Sequence, residues 1–264
     1  MQEPYIREGF GTSAYHGLTL IHPIGLAAVV VAAVWLLLSH KSQAWLPVLL
    51  VACFVPTSQR VVVATLDFNL IRILLAVATF RILQRQEYRG LRFTHLDQAF
   101  LAWVLLSALI HVLRLGTVPG MISKLGSSYD ALGLYAVARC WFRNIQDLMR
   151  LSRAAAIIAC ISVVGFAVER TTGKNMYAVF GGVPEITTVR EGRLRCQGPF
   201  AHAILAGTFW VAFLPLVFAR ALSARGRKTL VAGVVSIIVI VVLCSSSTPL
   251  LGVIASAGFG VLWF

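Results

Sequence analysis

The sequence predicts an all-α fold, a polytopic transmembrane helical bundle of about eight or nine membrane segments forming a single domain over 1–264. Three observations carry that prediction. Of 264 residues, 58% are hydrophobic and only 12% charged, and the mean hydropathy is +0.83. Soluble domains are about 45–50% apolar and about 25% charged, so this much apolar surface needs lipid as its solvent. The apolar stretches, Gly25–Leu38 and Val231–Cys244 among them, are long and unbroken. Barrel strands alternate instead, and in lipid only helices or closed barrels satisfy their own backbone. Finally, most of the 23 Lys and Arg lie in short clusters between apolar runs, where the positive-inside rule puts them. The net charge of +13 therefore points to membrane topology and not to a nucleic-acid partner.

With ~20 apolar residues per span, helices are predicted at 18–39, 45–64, 67–84, 96–113, 150–169, 199–219, 229–244 and 248–264. Pro56 and Arg60 interrupt the second, which suggests a short span and an irregular turn. Parity supplies a ninth. The clusters Arg81, Arg85, Arg89, Arg92 and Arg220, Arg225, Arg227, Lys228 are both expected on the cytoplasmic side. Three clear spans lie between them, so a fourth crossing is required, and 131–148 is the candidate. Its cytoplasmic end would carry Arg139 and Arg143, near Arg150 and Arg153. The first 17 residues then lie outside and lack the basic n-region and cleavage site of a signal peptide. The chain stops within an apolar run, PLLGVIASAGFGVLWF, which suggests a fragment incomplete at its C-terminus. The five cysteines form no CxxC pair, so neither a disulfide framework nor a metal site is expected.

The same topology places residues 170–198 outside, with Arg170, Lys174, Arg190, Arg193 and Arg195. These cations oppose the positive-inside trend. Either the loop tolerates them, with Glu185 and Glu191 pairing some, or they bind an anionic substrate. The segment Arg193-Leu-Arg195-Cys-Gln-Gly198-Pro199-Phe-Ala-His202 favours the second option. Pro199 suits a first helical position, Gly198 permits a tight turn and close ligand approach, and a helix N-terminus attracts anions. Arg195 and Arg193 would add bidentate phosphate contacts. Ser245-Ser246-Ser247-Thr248-Pro249 has the same grammar, hydroxyl caps before a proline, on the same side. His202 is expected one turn into its helix, either packed or touching substrate. Arg60 and Arg72 are secondary candidates, because charge at membrane depth needs a cavity or a partner; the alternative is that Asp67 and Asp130 neutralise one of them. No P-loop, paired-carboxylate or metal-ligand motif is complete, so no nucleotide, metal or other cofactor is expected. With 10 acidic residues, mostly at loop edges, ion-coupled transport is disfavoured.

Four stretches stand out between about Leu132 and Phe264: ARCWFRNIQDLMRLSRAAAII, FAVERTTGKN, RLRCQGPFAHAILAGTF and VVLCSSSTPLLGVIASAG. On these stretches the chain resembles the O-antigen ligase and O-antigen polymerase superfamily of integral-membrane enzymes. The first 130 residues match mainly in hydropathy. In that family a Glu–Thr–Gly element ends a helix before an external segment, here Glu169-Arg-Thr-Thr-Gly173. An Arg-x-x-Gly-x-Phe motif then opens the next helix, matching Arg195, Gly198 and Phe200. The resemblance implies a membrane glycosyltransferase of polysaccharide assembly in the cell inner (cytoplasmic) membrane. Its partners would be membrane lipid and a polyprenyl-pyrophosphate-linked glycan, with Arg195 on the pyrophosphate. The family's Thr-x-Ser-Arg-like element lacks its arginine here, reading Ser245-Ser-Ser-Thr248-Pro249, and the family's later external loop with its histidine falls beyond residue 264. The competing class is a non-enzymatic transporter or flippase component for lipid-linked glycans. A flippase would carry its arginines in a central cavity, whereas Arg190, Arg193 and Arg195 sit in one loop.

Overall fold

A computed structural model describes residues 19–63, 66–223 and 227–263. The predicted external N-terminal segment, Arg225 of the last basic cluster and Phe264 lie outside these residues. Among the described residues there are nine α-helices: α1 Pro23–Leu38, α2 Trp45–Phe54, α3 Leu70–Gln84, α4 His95–Leu115, α5 Val118–Trp141, α6 Ile145–Thr172, α7 Ala203–Ser223, α8 Arg227–Leu243 and α9 Ser247–Trp263. Three helices are long and apolar enough to cross a membrane: α4 over His95–Arg114, α6 over Ile145–Thr172 and α7 over Ala203–Leu222. The large side chains of α4 stay uncovered by protein, with Leu105, Leu109 and Leu113 all exposed, as befits a helix that faces lipid and not water.

Several expectations are corrected. The helix predicted at 45–64 ends at Phe54, because Pro56 breaks it and the β-branched run Arg60–Val63 (β1) pairs antiparallel with Leu66–Asn69 (β2). That hairpin also delays the helix predicted from 67. Asn69 caps α3 instead, its Oδ1 accepting from Arg72 N at 2.7 Å, a preferred N-cap role. The segment predicted at 131–148 is two pieces. α5 begins at Val118 and stops at Trp141, and α6 starts at Ile145 after a turn in which Asp147 accepts from the backbone of Asn144 at 3.3 Å. The helix predicted from 199 begins at Ala203, so Pro199 is not its first residue. α9 begins at Ser247, so Pro249 is its third residue. Two further residue pairs, Val189–Arg190 (β3) and Arg193–Leu194 (β4), make a small hairpin in the 173–202 loop.

Two packed regions share α2. Small residues let α6 and α8 come close: a Cβ on Gly233 would sit 2.4 Å from that of Ala156. The core of α6, α7 and α8 includes Ala156, Ala159, Trp210, Val217, Ile237 and Ile240, and takes Cys53 from α2. Trp45 and Val51 of α2 pack instead among α1, α3 and α5, with Leu36, Leu74, Leu75 and Trp141.

The turns collect at two ends. At one, Leu20 N donates to Arg60 O at 3.0 Å, Thr57 N to Pro199 O at 3.0 Å and Cys196 N to Leu243 O at 3.2 Å. This end gathers the starts of α1, α3, α7 and α9 and the ends of α2, α6 and α8. At the other, Arg81 donates to Ser39 Oγ at 3.0 Å, Arg143 to Arg89 O at 2.8 Å and Arg139 to Asp97 at 2.9 Å. Arginines of two of the three basic clusters predicted to share a side, 81–92 and 139–153, thus touch one another's turns, far along the helices from the 173–202 loop.

Candidate functional site

The loop leaving α6 is built around one carboxylate. Gly173 ends the helix in the left-handed conformation, φ 70°, and one turn earlier Glu169 is buried, 1% exposed. Its Oε2 accepts from Gly198 N at 2.8 Å, its Oε1 from Gln197 N at 3.1 Å, and Oε1 also accepts from Thr187 Oγ1 at 3.0 Å. Hydrogen bonds to a carboxylate are stronger than neutral ones, so this group ties both arms of the loop to the helix end. Asn175 adds a second tie, Nδ2 donating to Gly198 O at 2.7 Å. Thr57, from the turn after α2, adds a third, accepting from Ala201 N at 3.1 Å.

These ties shape the segment Arg195–His202. Gly198 has φ 57°, and a Cβ there would lie 2.8 Å from the Phe166 ring; both the backbone and the space demand glycine. The reason for Gly198 is therefore the tight turn against α6. Gln197 closes the turn, Nε2 donating to Phe200 O at 3.0 Å. His202 O accepts from Ala206 N at 3.0 Å, which puts His202 at the cap of α7 and not one turn inside it. Burial pushes the Cys196 thiol up to about 12, so it packs as a neutral group beside Leu243.

Arg195 is the unusual member. It is 6% exposed, and its Nε is buried without a hydrogen-bond partner among the described residues. Its backbone N donates to Thr188 O at 3.0 Å, so its place is fixed, while no carboxylate among the described residues forms an ion pair with its head. Buried guanidinium groups are normally paired. The other cations named as site candidates contrast with it. Arg60 is buried but forms an ion pair with Asp67 and donates to Ser58 O at 3.2 Å. Arg72 grips Asp130 with two hydrogen bonds, 2.8 and 2.6 Å. Both are thus neutralised by those two carboxylates. Arg190 and Arg193 stand exposed on the β3–β4 hairpin, whose turn places Glu191 and Gly192 at φ 53° and 73°. Arg190 pairs loosely with Glu191 at 3.6 Å, and Lys174 with Glu185 at 3.4 Å.

The two predicted helix starts do come together. Besides the Cys196–Leu243 bond, a Cβ on Gly207 of α7 would lie 2.4 Å from Pro249 of α9, so the first turn of α9 packs against the second turn of α7. Ser246 is buried and Ser247 exposed at the α9 start. Chemically, a guanidinium with an unused donor beside two positive helix ends is a receptor for an anion. Sequence reasoning missed Glu169, Thr187 and Asn175 as organisers of this segment. The signal was present: a lone carboxylate near the end of a long apolar helix is costly unless engaged.

The imidazole of His202 lies below its ordinary value because burial penalises its cation and the charge of Arg195 adds to that. The unfolded chain therefore binds the proton more tightly, and stability falls as pH drops through the unfolded value of about 6.5. The thermal midpoint in detergent should decline from pH 7.5 to 5.5, and less so in His202→Gln. Parallel pH profiles for the two proteins would refute this. Comparison with family models, with curated proteins and with solved structures finds no match to this chain.

Proposed function

We propose that this chain is a multi-pass component of the cytoplasmic membrane, with its nine helices as nine membrane segments and the 170–198 loop on the outer face. There it binds a polyprenyl-pyrophosphate-linked glycan and serves glycosyl transfer of the O-antigen ligase or polymerase type. The observation that carries the reading is Arg195, a buried guanidinium with a free Nε beside the starts of α7 and α9. A pyrophosphate would supply the missing acceptor. The contact of basic turns with one another at the far end of the bundle supports the assignment of sides.

In the transfer an acceptor hydroxyl attacks the anomeric carbon while the bond to the pyrophosphate oxygen breaks, and the hydroxyl proton leaves to solvent. Negative charge grows on the departing lipid pyrophosphate. Arg195 and the backbone N–H groups of the two helix starts would stabilise that charge in place, without reorganisation, as preorganised electrostatic catalysis requires. Arg190 and Arg193, exposed on their hairpin, would attract the anion before it seats, an effect that salt should weaken.

The test is reconstitution into liposomes with a polyprenyl-pyrophosphate glycan and a hydroxyl acceptor. Release of free polyprenyl pyrophosphate together with glycosylated acceptor is the expected result. Binding and transbilayer movement of the lipid without sugar transfer would assign the site to a flippase component instead. No interaction with the lipid would refute both.

A further inference from the structure

At the end of the bundle remote from Arg195, a cavity of about 290 Å³ opens where the α1–α2 connection meets the α5–α6 turn. Its walls include Lys41, Arg143, Asn144, Asp147 and Arg150. Their charges do not cancel. Asp147 is engaged twice: Oδ1 accepts from Arg150 Nη1 at 3.0 Å, and Oδ2 accepts from the backbone N–H of Arg143 and of Asn144, both at 3.3 Å. That leaves Arg143 and Lys41. Arg143 donates from Nε to Cys140 O at 3.1 Å, from Nη1 to Arg89 O at 2.8 Å, and from Nη2 to Glu87 O. Carbonyl oxygens fix the guanidinium in position but leave its full charge. Glu87, whose backbone carbonyl Arg143 holds, has its carboxylate taken by Arg81 at 3.1 Å and by Trp141 Nε1 at 2.9 Å. Among the described residues neither Lys41 nor Arg143 has an ion-pair partner.

The surroundings indicate what anion would fit. The cavity lies at the helix ends, level with the basic turns. The helices that border it carry uncovered apolar side chains: Val34 and Leu38 on α1, Ile145 and Met149 on α6. We propose that this cavity binds the phosphodiester of an anionic phospholipid headgroup, with the acyl chains along those apolar side chains. Two uncompensated cations suit a headgroup of net negative charge and repel the ammonium of a zwitterionic one. Basic pockets between helices at the cytoplasmic surface are suited to such headgroups. The site is separate from the donor site, and its occupation needs only that the chain be a membrane protein.

The experiment is binding of short-chain phosphatidylglycerol to delipidated protein in detergent, followed by native mass spectrometry. Phosphatidylcholine, glycerol phosphate and inorganic phosphate are run as separate arms. Lys41→Glu should weaken phosphatidylglycerol binding on the order of thirtyfold, about fivefold for each unit of charge changed. Lys41→Gln should weaken it about fivefold. Lys174→Glu, the same charge reversal on the opposite loop, should leave it unchanged. Equal retention of phosphatidylglycerol and phosphatidylcholine, or unaltered binding by both Lys41 variants, would overturn the proposal. Glycerol phosphate or inorganic phosphate binding as tightly as the lipid would overturn the lipid assignment in favour of a soluble phosphate. Any of these results leaves the Arg195 reading untouched, because Lys41 lies at the other end of the bundle.

Discussion

Glu169→Ala should cost about 3 kcal/mol of stability and loosen the whole 185–200 segment. The substitution removes the acceptor for two backbone N–H groups, of Gln197 and Gly198, and for the Thr187 hydroxyl. Buried donors left without a partner cost about 1–3 kcal/mol each, offset in part by solvent entering the loop. The carboxylate also sits near the end of α6, where the helix dipole disfavours negative charge. It is tolerated there because the loop brings donors to it. Glu169→Gln keeps one acceptor oxygen but turns an NH₂ toward an N–H, so it should recover only part of the loss. Thermal melting in detergent and limited proteolysis between Glu185 and Phe200 would measure both effects. A midpoint unchanged in Glu169→Ala would remove this carboxylate as the organiser of the loop.

Arg195→Gln should do the opposite to stability while strongly weakening binding. The wild-type guanidinium is buried with an unpartnered Nε, a desolvated charge that weakens the fold. Its neutral replacement should hold or raise the thermal midpoint. Affinity for polyprenyl pyrophosphate should fall by about a hundredfold or more, since losing one partner of a buried charge pair costs about 2–5 kcal/mol. Arg195→Lys, a point charge without the planar fork, should fall between. Arg60→Gln and Arg72→Gln give the contrast. Each leaves its carboxylate, Asp67 or Asp130, without its cation, so each should lower the midpoint. A residue that improves stability when removed is the kind that binding sites retain for function. A lower midpoint in Arg195→Gln, with donor affinity intact, would make Arg195 structural.

Much of this could be read from the chain alone, for physical reasons that differ by region. Long apolar helices were legible because apolar length is a strong signal, and among the described residues α4, α6 and α7 are long and apolar enough to cross a membrane; the segment expected at Ala131–Leu148 is split between α5 and the start of α6. Its boundaries were not legible. Val118–Asp130 reads as polar loop, with Ser127, Ser128 and Asp130, yet it is helical because α4 and α3 supply partners: Lys124 donates to Ser107 at 2.6 Å and Asp130 receives Arg72. Residues 60–69 read as the end of one apolar helix and the start of another, since a β-branched run near Pro56 has no period that separates helix from strand over four residues. At the site, the shared side of the Arg195–His202 and Ser245–Pro249 segments was legible, but the cap grammar was not met, since α7 begins at Ala203 and Pro249 is the third residue of α9. The start of α7 was not legible, because the carboxylate that holds Gly198 outside the helix comes from Glu169, 29 positions away. Long-range ties of that kind leave no local pattern.

The most direct test of the central claim is to locate the lipid on the protein. A polyprenyl-pyrophosphate analogue with a photoreactive group next to the pyrophosphate would be irradiated with the wild-type protein and with Arg195→Gln, and the attachment sites mapped by peptide mass spectrometry. The site derived above predicts attachment within 190–202 and 245–249, lost in the variant. No attachment within 190–202 or 245–249, or attachment at 190–202 that survives Arg195→Gln, would contradict it.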